Sequence, residues 1–227
     1  MTSLSDQGAP RRSALIFANG DASDGVMVRR ALSTSPDAWV IAADGGVRHA
    51  RAFGFPPHLV IGDMDSVTPD DLAWAEARGA RIDRYPAAKD ETDLELALLA
   101  AAAMRVERIR VIGAIGDRLD QTLSGVYLLG LPALAQVDVR LVAGRQETWL
   151  AESGETVIDG APGDTVSLIP LAGDALGITT EGLEYPLRGE PLHFGPARGV
   201  SNVLLAARGY VRLTAGRLLI VQTSGRA

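Results

Sequence analysis

The chain has 227 residues, of which 47% are apolar, with 22 basic against 28 acidic side chains and a net charge of -6. That acidic balance excludes binding along a nucleic-acid backbone, which needs a concentrated basic face, while the apolar share suits a globular chain with a buried core. The absence of cysteine excludes disulfides and thiolate metal sites and suits a reducing, cytoplasmic setting.

In chain order, residues 1–12 are mostly small and polar and end on two arginines. They lack the apolar run of a secretion signal, so a flexible tail is expected. No stretch reaches the roughly 20 apolar residues of a membrane span; even 94–104 is broken by Glu95. From residue 13, short apolar runs alternate with helical patterns. Buried strands are expected at 14–18, 39–43, 58–61, 108–112 and 137–142, with helices at 26–32, 47–53, 69–78, 92–104 and 119–129. The helix at 69–78 is the best marked, with Thr68 as N-cap, Pro69 as first helical residue, Asp71 three positions after the cap and Gly79 as terminator. Such alternation specifies a largely parallel sheet with helices on its faces.

Beyond residue 144 the helical periodicity stops. Short β-like segments recur at 148–150, 155–158, 165–169, 176–180, 203–205, 209–213 and 218–222, a spacing of about ten residues that suits a small β-sandwich. The expected fold class is therefore α/β plus all-β. A tail at 1–12 is followed by a largely parallel α/β domain at 13–144 and a β-sandwich at 145–227.

In open α/β sheets, ligands gather where strands end, and here those ends are acidic and glycine-rich. The second expected strand runs into Asp44-Gly45-Gly46, the third into Gly62-Asp63-Met64-Asp65-Ser66, and the 108–112 strand into Gly113-Ala114-Ile115-Gly116-Asp117-Arg118-Leu119-Asp120. Lys89-Asp90-Glu91-Thr92-Asp93 opens a further helix. Gathering Asp44, Asp63, Asp65, Asp90, Asp93 and Asp120 on one rim costs like-charge repulsion unless cations offset it. With three scattered histidines, the cation to expect is a hard, oxygen-bound one such as Mg²⁺, which takes one or two carboxylates together with substrate phosphates. In extended chain Asp63 and Asp65 point the same way and can address one ion or an ion pair. Gly45, Gly46, Gly113 and Gly116 permit close backbone approach to phosphate, and the helix N-termini beyond them offer free N–H groups.

Plainer readings stand beside these. Asp90-x-x-Asp93 and Asp117-x-x-Asp120 are also capping boxes, Asp70 and Asp71 also cap, and Asp44-Gly45-Gly46 is also a turn. Lys89, the only lysine in the chain, either steadies phosphate or its acidic neighbours, or is a solvated charge. Arg118 suits a nucleotide phosphate or an ion pair with Asp117 or Asp120. His49, His58 and His193 are read as structural or exposed. Neither a P-loop nor the dinucleotide glycine fingerprint occurs.

Taken in order, Ala43-Asp44-Gly45-Gly46, Gly62-Asp63-Met64-Asp65-Ser66, Asp90-Glu91-Thr92-Asp93 with Leu94-Glu95-Leu96-Ala97, and Gly113-x-x-Gly116-Asp117-Arg118-Leu119-Asp120-Gln121 closely resemble the thiamine pyrophosphokinase (thiamine diphosphokinase) family. The resemblance continues through Ser167-Leu168-Ile169-Pro170-Leu171, Thr179-Thr180-Glu181-Gly182-Leu183-Glu184-Tyr185-Pro186-Leu187 and Gly199-Val200-Ser201-Asn202, and covers about 13–222. It implies an enzyme that moves pyrophosphate from ATP to the thiamine hydroxyl, giving AMP and thiamine diphosphate. It further implies a homodimer with the site between domains of different subunits. By position it assigns Asp63, Asp65 and Asp93 to metal and catalysis, and Asp44 to the same acidic site. Gly45, Gly46, Lys89, Thr92, Gly113, Arg118, Asp120 and Gln121 fall on the ATP side, and Ser201 with Asn202 on the thiamine side. Many bacterial members carry His where Gln121 stands, and Gln cannot take a proton. Asp93 or Asp65 is the candidate acceptor of the hydroxyl proton. The alternatives are a pyrophosphokinase for another heterocyclic alcohol, such as a pterin, and a non-catalytic sensor of thiamine or nucleotide.

Overall fold

The computed structural model describes residues 12–226. The tail expected at 1–12 lies, apart from Arg12, outside the described residues. Among the described residues the chain forms two compact units. The first takes Arg30–Val139 with the stretch up to Ala22; the second takes the chain from Arg140 onward with Ser23–Arg29.

Five parallel strands build the first unit: β1 (Ser13–Phe17), β2 (Trp39–Ala43), β3 (Leu59–Gly62), β4 (Arg81–Arg84) and β5 (Arg108–Ile112). Their order is β5-β1-β2-β3-β4. The helices of this part of the chain are α1 (Val26–Ser33), α2 (Val47–Ala52), α3 (Pro69–Glu76), α4 (Asp93–Ala103) and α5 (Leu119–Leu128). Central β1 is buried throughout, which explains its unbroken Ala14-Leu15-Ile16-Phe17 run: a parallel strand covered on both faces needs no alternation. Phe17 packs on Phe53 and Phe55 with ring centroids 6.2 Å away. Helix α3 starts as the sequence indicates, with the Asp71 N–H donating to Thr68 Oγ1 at 3.2 Å and Pro69 in the first turn.

Strand β4 was not among the expected elements. Arg81-Ile82-Asp83-Arg84 is polar because it is the sheet's edge, where charged side chains discourage pairing with another strand, and that polarity removes the apolar run by which strands are read.

The strand order fixes where a ligand can sit. The chain steps outward from β1 to β4 and then returns to the other flank of β1 for β5. This reversal opens a crevice beyond the carboxyl ends of β1 and β5. The two segments leaving those ends run side by side, with the Ala18 N–H donating to the Ile112 carbonyl at 2.8 Å and the Gly20 N–H to the Gly113 carbonyl at 2.7 Å. Gly113 has φ +82°, and a Cβ there would stand 2.4 Å from the Ala18 carbonyl oxygen, so only glycine allows this approach.

The second unit is a two-layer antiparallel sandwich. One sheet orders β6 (Asp138–Ala143), β7 (Gln146–Ala151), β14 (Leu218–Thr223), β9 (Thr165–Pro170) and β12 (Asn202–Val203); the other orders β11 (Arg188–Leu192), β10 (Ala175–Glu181), β13 (Arg208–Leu213) and β8 (Gly154–Asp159). Trp149, Leu168 and Ile220 from the first sheet share a buried core with Ile158, Ile178 and Val211 from the second. Alternation along these strands is what the sequence registers as β-like segments. Edge strand β11, Arg188-Gly189-Glu190-Pro191-Leu192, went unread because glycine and proline interrupt it. The α/β plus all-β fold class expected from the sequence is the observed one.

Candidate active site

Three strand and helix ends converge on one set of carboxylates. Asp44 follows β2 in a tight turn with φ +46° and is 5% exposed. Asp63 follows β3, and Asp93 opens α4. One carboxylate oxygen from each of Asp44, Asp63 and Asp93 lies within 4.8 Å of the others. Gly62 makes this possible: at φ +145°, a Cβ would sit 2.9 Å from Asp93 Cγ and 3.2 Å from Asp44 Cβ.

Asp65 lines the same cleft but is not one of the three. The extended-chain argument for pairing it with Asp63 fails at Met64, whose φ of +67° turns the backbone between them. Asp65 instead accepts from the Ser66 hydroxyl at 2.8 Å, while its own N–H donates to Asp63 Oδ1 at 3.2 Å. The capping reading of Asp90 and Asp93 also changes. Thr92 caps α4, its Oγ1 accepting from the Glu95 N–H at 3.2 Å, which leaves the Asp93 carboxylate facing the other acids.

Lys89 stands against this cluster, its Nζ 3.1 Å from Asp93 Oδ1 and 3.5 Å from Asp63 Oδ2, with the side chain 10% exposed. Burial raises the Asp93 pKa; Lys89 opposes that rise, while Asp63 and Asp44 add to it. Burial also works against the Lys89 charge, but Asp93 and Asp63 outweigh it and hold the ammonium pKa above its usual range. The Asp93 Oδ1 atom is buried and has no aligned hydrogen bond beyond the Lys89 ion pair.

A cleft of about 390 Å³ opens from these acids toward the β1/β5 switch point. Gly113, Gly116, Arg118, Gln121 and Thr122 line its far wall. Arg118 pairs with Asp120 at 2.6 Å, and both are exposed. The guanidinium pulls the Asp120 carboxylate below its ordinary range. Gly45 and Gly46 lie behind the surface: a Cβ on Gly46 would stand 1.9 Å from the Phe17 carbonyl oxygen, so packing against β1 demands glycine there.

Sequence reading passed over Asn19 and its supports. Asn19 lines the cleft, and its Oδ1 is buried without a hydrogen-bond partner. The neighbouring backbone is gripped from α2, by Arg48 Nη2 donating to the Asn19 carbonyl and His49 Nε2 to the Gly20 carbonyl, each at 2.9 Å. Burial, with Arg48 adding to it, lowers the His49 pKa. The available signal was Asn19-Gly20, a turn pair directly after the first buried strand.

In the second unit, Asn202 is 8% exposed and acts as a clamp. Its Oδ1 accepts from the Tyr185 and Val203 N–H groups at 3.0 and 2.9 Å, and its Nδ2 donates to the Tyr185 carbonyl at 2.7 Å. Ser201, exposed and at φ +61°, is held by its N–H donating to Ser167 Oγ at 3.1 Å.

Comparison with known proteins gives matches along most of the chain. Residues 31–141 match the model of the thiamin pyrophosphokinase catalytic domain, and 155–218 match that of the thiamin pyrophosphokinase vitamin B1 binding domain. A thiamine pyrophosphokinase of Bacillus subtilis is 28% identical over 185 residues, 81% of this chain and 86% of that protein. The crystal structure of a B. subtilis thiamine pyrophosphokinase superposes with a TM-score of 0.83 at 26% identity, covering 93% of this chain and 99% of that one. The enzyme from Geobacillus thermodenitrificans gives 0.79 at 25% identity, covering 93% and 97%.

Proposed function

The chain belongs to the thiamin pyrophosphokinase family, and we propose that the acidic cleft of its first unit carries out that family's reaction, ATP plus thiamine giving AMP plus thiamine diphosphate. The observation that carries this reading is the convergence of Asp44, Asp63 and Asp93 at the head of a cleft built on the switch point of a parallel sheet.

The donor set suits Mg²⁺. It consists of carboxylate oxygens without nitrogen or sulfur, and one of them, Asp93 Oδ1, is buried without an aligned donor. Asp44, Asp63 and Asp93 would hold the ion. When bound, Mg²⁺ neutralises charge on the transferred pyrophosphoryl group. Asp65 stays on the rim, steadied by Ser66, and is the carboxylate left to accept the thiamine hydroxyl proton. Lys89 and Arg118, both lining the cleft, supply positive charge to the phosphates. Gly113, Thr92 and Gln121 shape the nucleotide wall, and the Asn19 carboxamide meets the nucleotide beside them. In-line attack of the hydroxyl on the β-phosphorus then requires chiefly positioning and charge compensation.

On the acceptor side Ser201 contacts thiamine, while Asn202 acts through the Tyr185 backbone it clamps. A homodimer working in the cytoplasm completes the proposal, supported by the family resemblance and the cysteine-free composition. Sedimentation with and without ligand tests the dimer. Purified protein with ATP, Mg²⁺ and thiamine is expected to release AMP, with pterin alcohols failing to compete. ADP as sole nucleotide product, or equal use of a pterin alcohol, overturns the assignment.

A further inference from the structure

We propose that Lys89 has two seats: its ammonium is the counter-ion of the Asp63/Asp93 pair until a divalent cation takes those carboxylates, and it then moves onto the nucleotide's phosphates. This rests on the cleft being the metal and nucleotide site. It adds an exchange that neither the acids alone nor a fixed phosphate-binding lysine would show.

Four observations carry it. The first is the choice of side chain. Lys89 is the single lysine among 22 basic residues, in a chain that uses arginine everywhere else. An arginine fork would bind a carboxylate at two points, whereas an ammonium is a compact point charge on a flexible stem and leaves more readily. The second is contact: Nζ lies within ion-pair distance of two carboxylates of the triad, at 3.1 and 3.5 Å. The third is charge. Without a cation the ammonium faces three clustered carboxylates; a divalent cation seated among them offsets two of those three charges, so the net attraction holding Lys89 falls to that of a single negative charge while an anionic phosphate nearby offers more. The fourth is the support. The segment between β4 and α4 is neither helix nor strand. Ahead of the Thr92 cap, its backbone hydrogen bonds include the Tyr85 N–H donating to the Gly62 carbonyl at 2.9 Å and the Lys89 N–H donating to the Ala87 carbonyl at 3.1 Å. The four-carbon stem can swing without unfolding either neighbour.

Lys89 thereby couples the two ligands. Cation binding alone displaces an ion pair and is weakened by that displacement; nucleotide arriving with the cation gives the freed ammonium a new partner. Free nucleotide without cation meets the acids and an occupied lysine, and binds poorly.

The first test uses the wild-type protein and amine-selective acylation, read by peptide mass spectrometry at Lys89. Labelling is expected to be slow in chelator and about fivefold or more faster with Mg²⁺ alone, as the lost ion pair frees the amine, then slow again with Mg²⁺ and a non-hydrolysable ATP analogue. The second titrates Mn²⁺ without nucleotide. Folded Lys89→Met is expected to bind Mn²⁺ about tenfold more tightly than wild type, while its KM for Mg·ATP rises; Lys89→Arg, with a fork slower to leave, is expected to bind Mn²⁺ more weakly than wild type. A lysine that only holds the fold would move neither quantity in these opposite directions. A labelling rate that Mg²⁺ does not change, with protection by the ATP analogue intact, overturns the two-seat inference and leaves the nucleotide site standing. An analogue that neither binds nor protects overturns the nucleotide reading, and the inference with it.

Discussion

Gly62→Ala is the sharpest perturbation of the carboxylate triad that leaves every functional group in place. Two costs add. The backbone at φ +145° lies in territory that side chains rarely enter, worth about 1–3 kcal/mol. The new methyl would also stand 2.9 Å from Asp93 Cγ and Oδ1 and 3.2 Å from Asp44 Cβ, inside contact distance of two of the three acids. Relief requires Asp93 to move away, because Asp44 is buried and held in its own turn. The expected destabilisation is about 2–4 kcal/mol by chemical denaturation. Because misplacing a positioned group by about 1 Å costs on the order of 10²-fold in rate, AMP release should fall by about that factor in the folded variant. Gly79→Ala is the matched control. Gly79 has φ +85°, but its Cβ would meet nothing within 4 Å, so it carries only the backbone cost, about 1 kcal/mol, and full activity. A folded Gly62→Ala enzyme with wild-type turnover would refute the claim that the closeness of Asp44 and Asp93 matters to the reaction.

Asp44→Asn keeps shape and tolerates the left-handed φ of +46°, so thermal stability should hold while turnover drops about 10²–10³-fold; Asp65→Asn, outside the triad, should lose less in turnover. The folded pKa of His49 lies below its ordinary 6.5, so the unfolded chain takes the proton first as pH falls. His49 is therefore expected to contribute stability that is complete above about pH 6.5 and is lost as pH falls toward the folded pKa; His49→Gln, which still offers Gly20 a donor, should remove that slope in denaturation curves taken across this window. Asn202→Ala strands the Tyr185 and Val203 N–H groups, and should cost about 1–3 kcal/mol and raise the KM for thiamine more than it lowers kcat; equal stability would show the clamp to be idle.

Long apolar signals were legible in the sequence and short polar ones were not. Strands β1, β2 and β3 announce themselves because both faces are covered, β5 by its buried Ile109, Val111 and Ile112, and Thr68, Pro69 and Gly79 mark α3 by chemistry that acts over a single turn. Edge strands β4 and β11 hide because an edge favours charge, glycine and proline over apolar runs. The acid rim was visible as acids following strands, but which acids meet depends on backbone angles. Met64 at φ +67° sends Asp65 away from Asp63, and Thr92 takes the cap that frees Asp93. Asn19 escaped notice because Asn19-Gly20 marks only a turn, and its place at the cleft arises from the β1/β5 reversal, a property of strand order.

The most direct measurement is ³¹P NMR of ATP, Mg²⁺, thiamine and the purified chain. Thiamine diphosphate and AMP should appear in equal amounts, with no signal in chelator and almost none with Asp63→Asn. Thiamine monophosphate with ADP, or undiminished product from Asp63→Asn, would contradict the account.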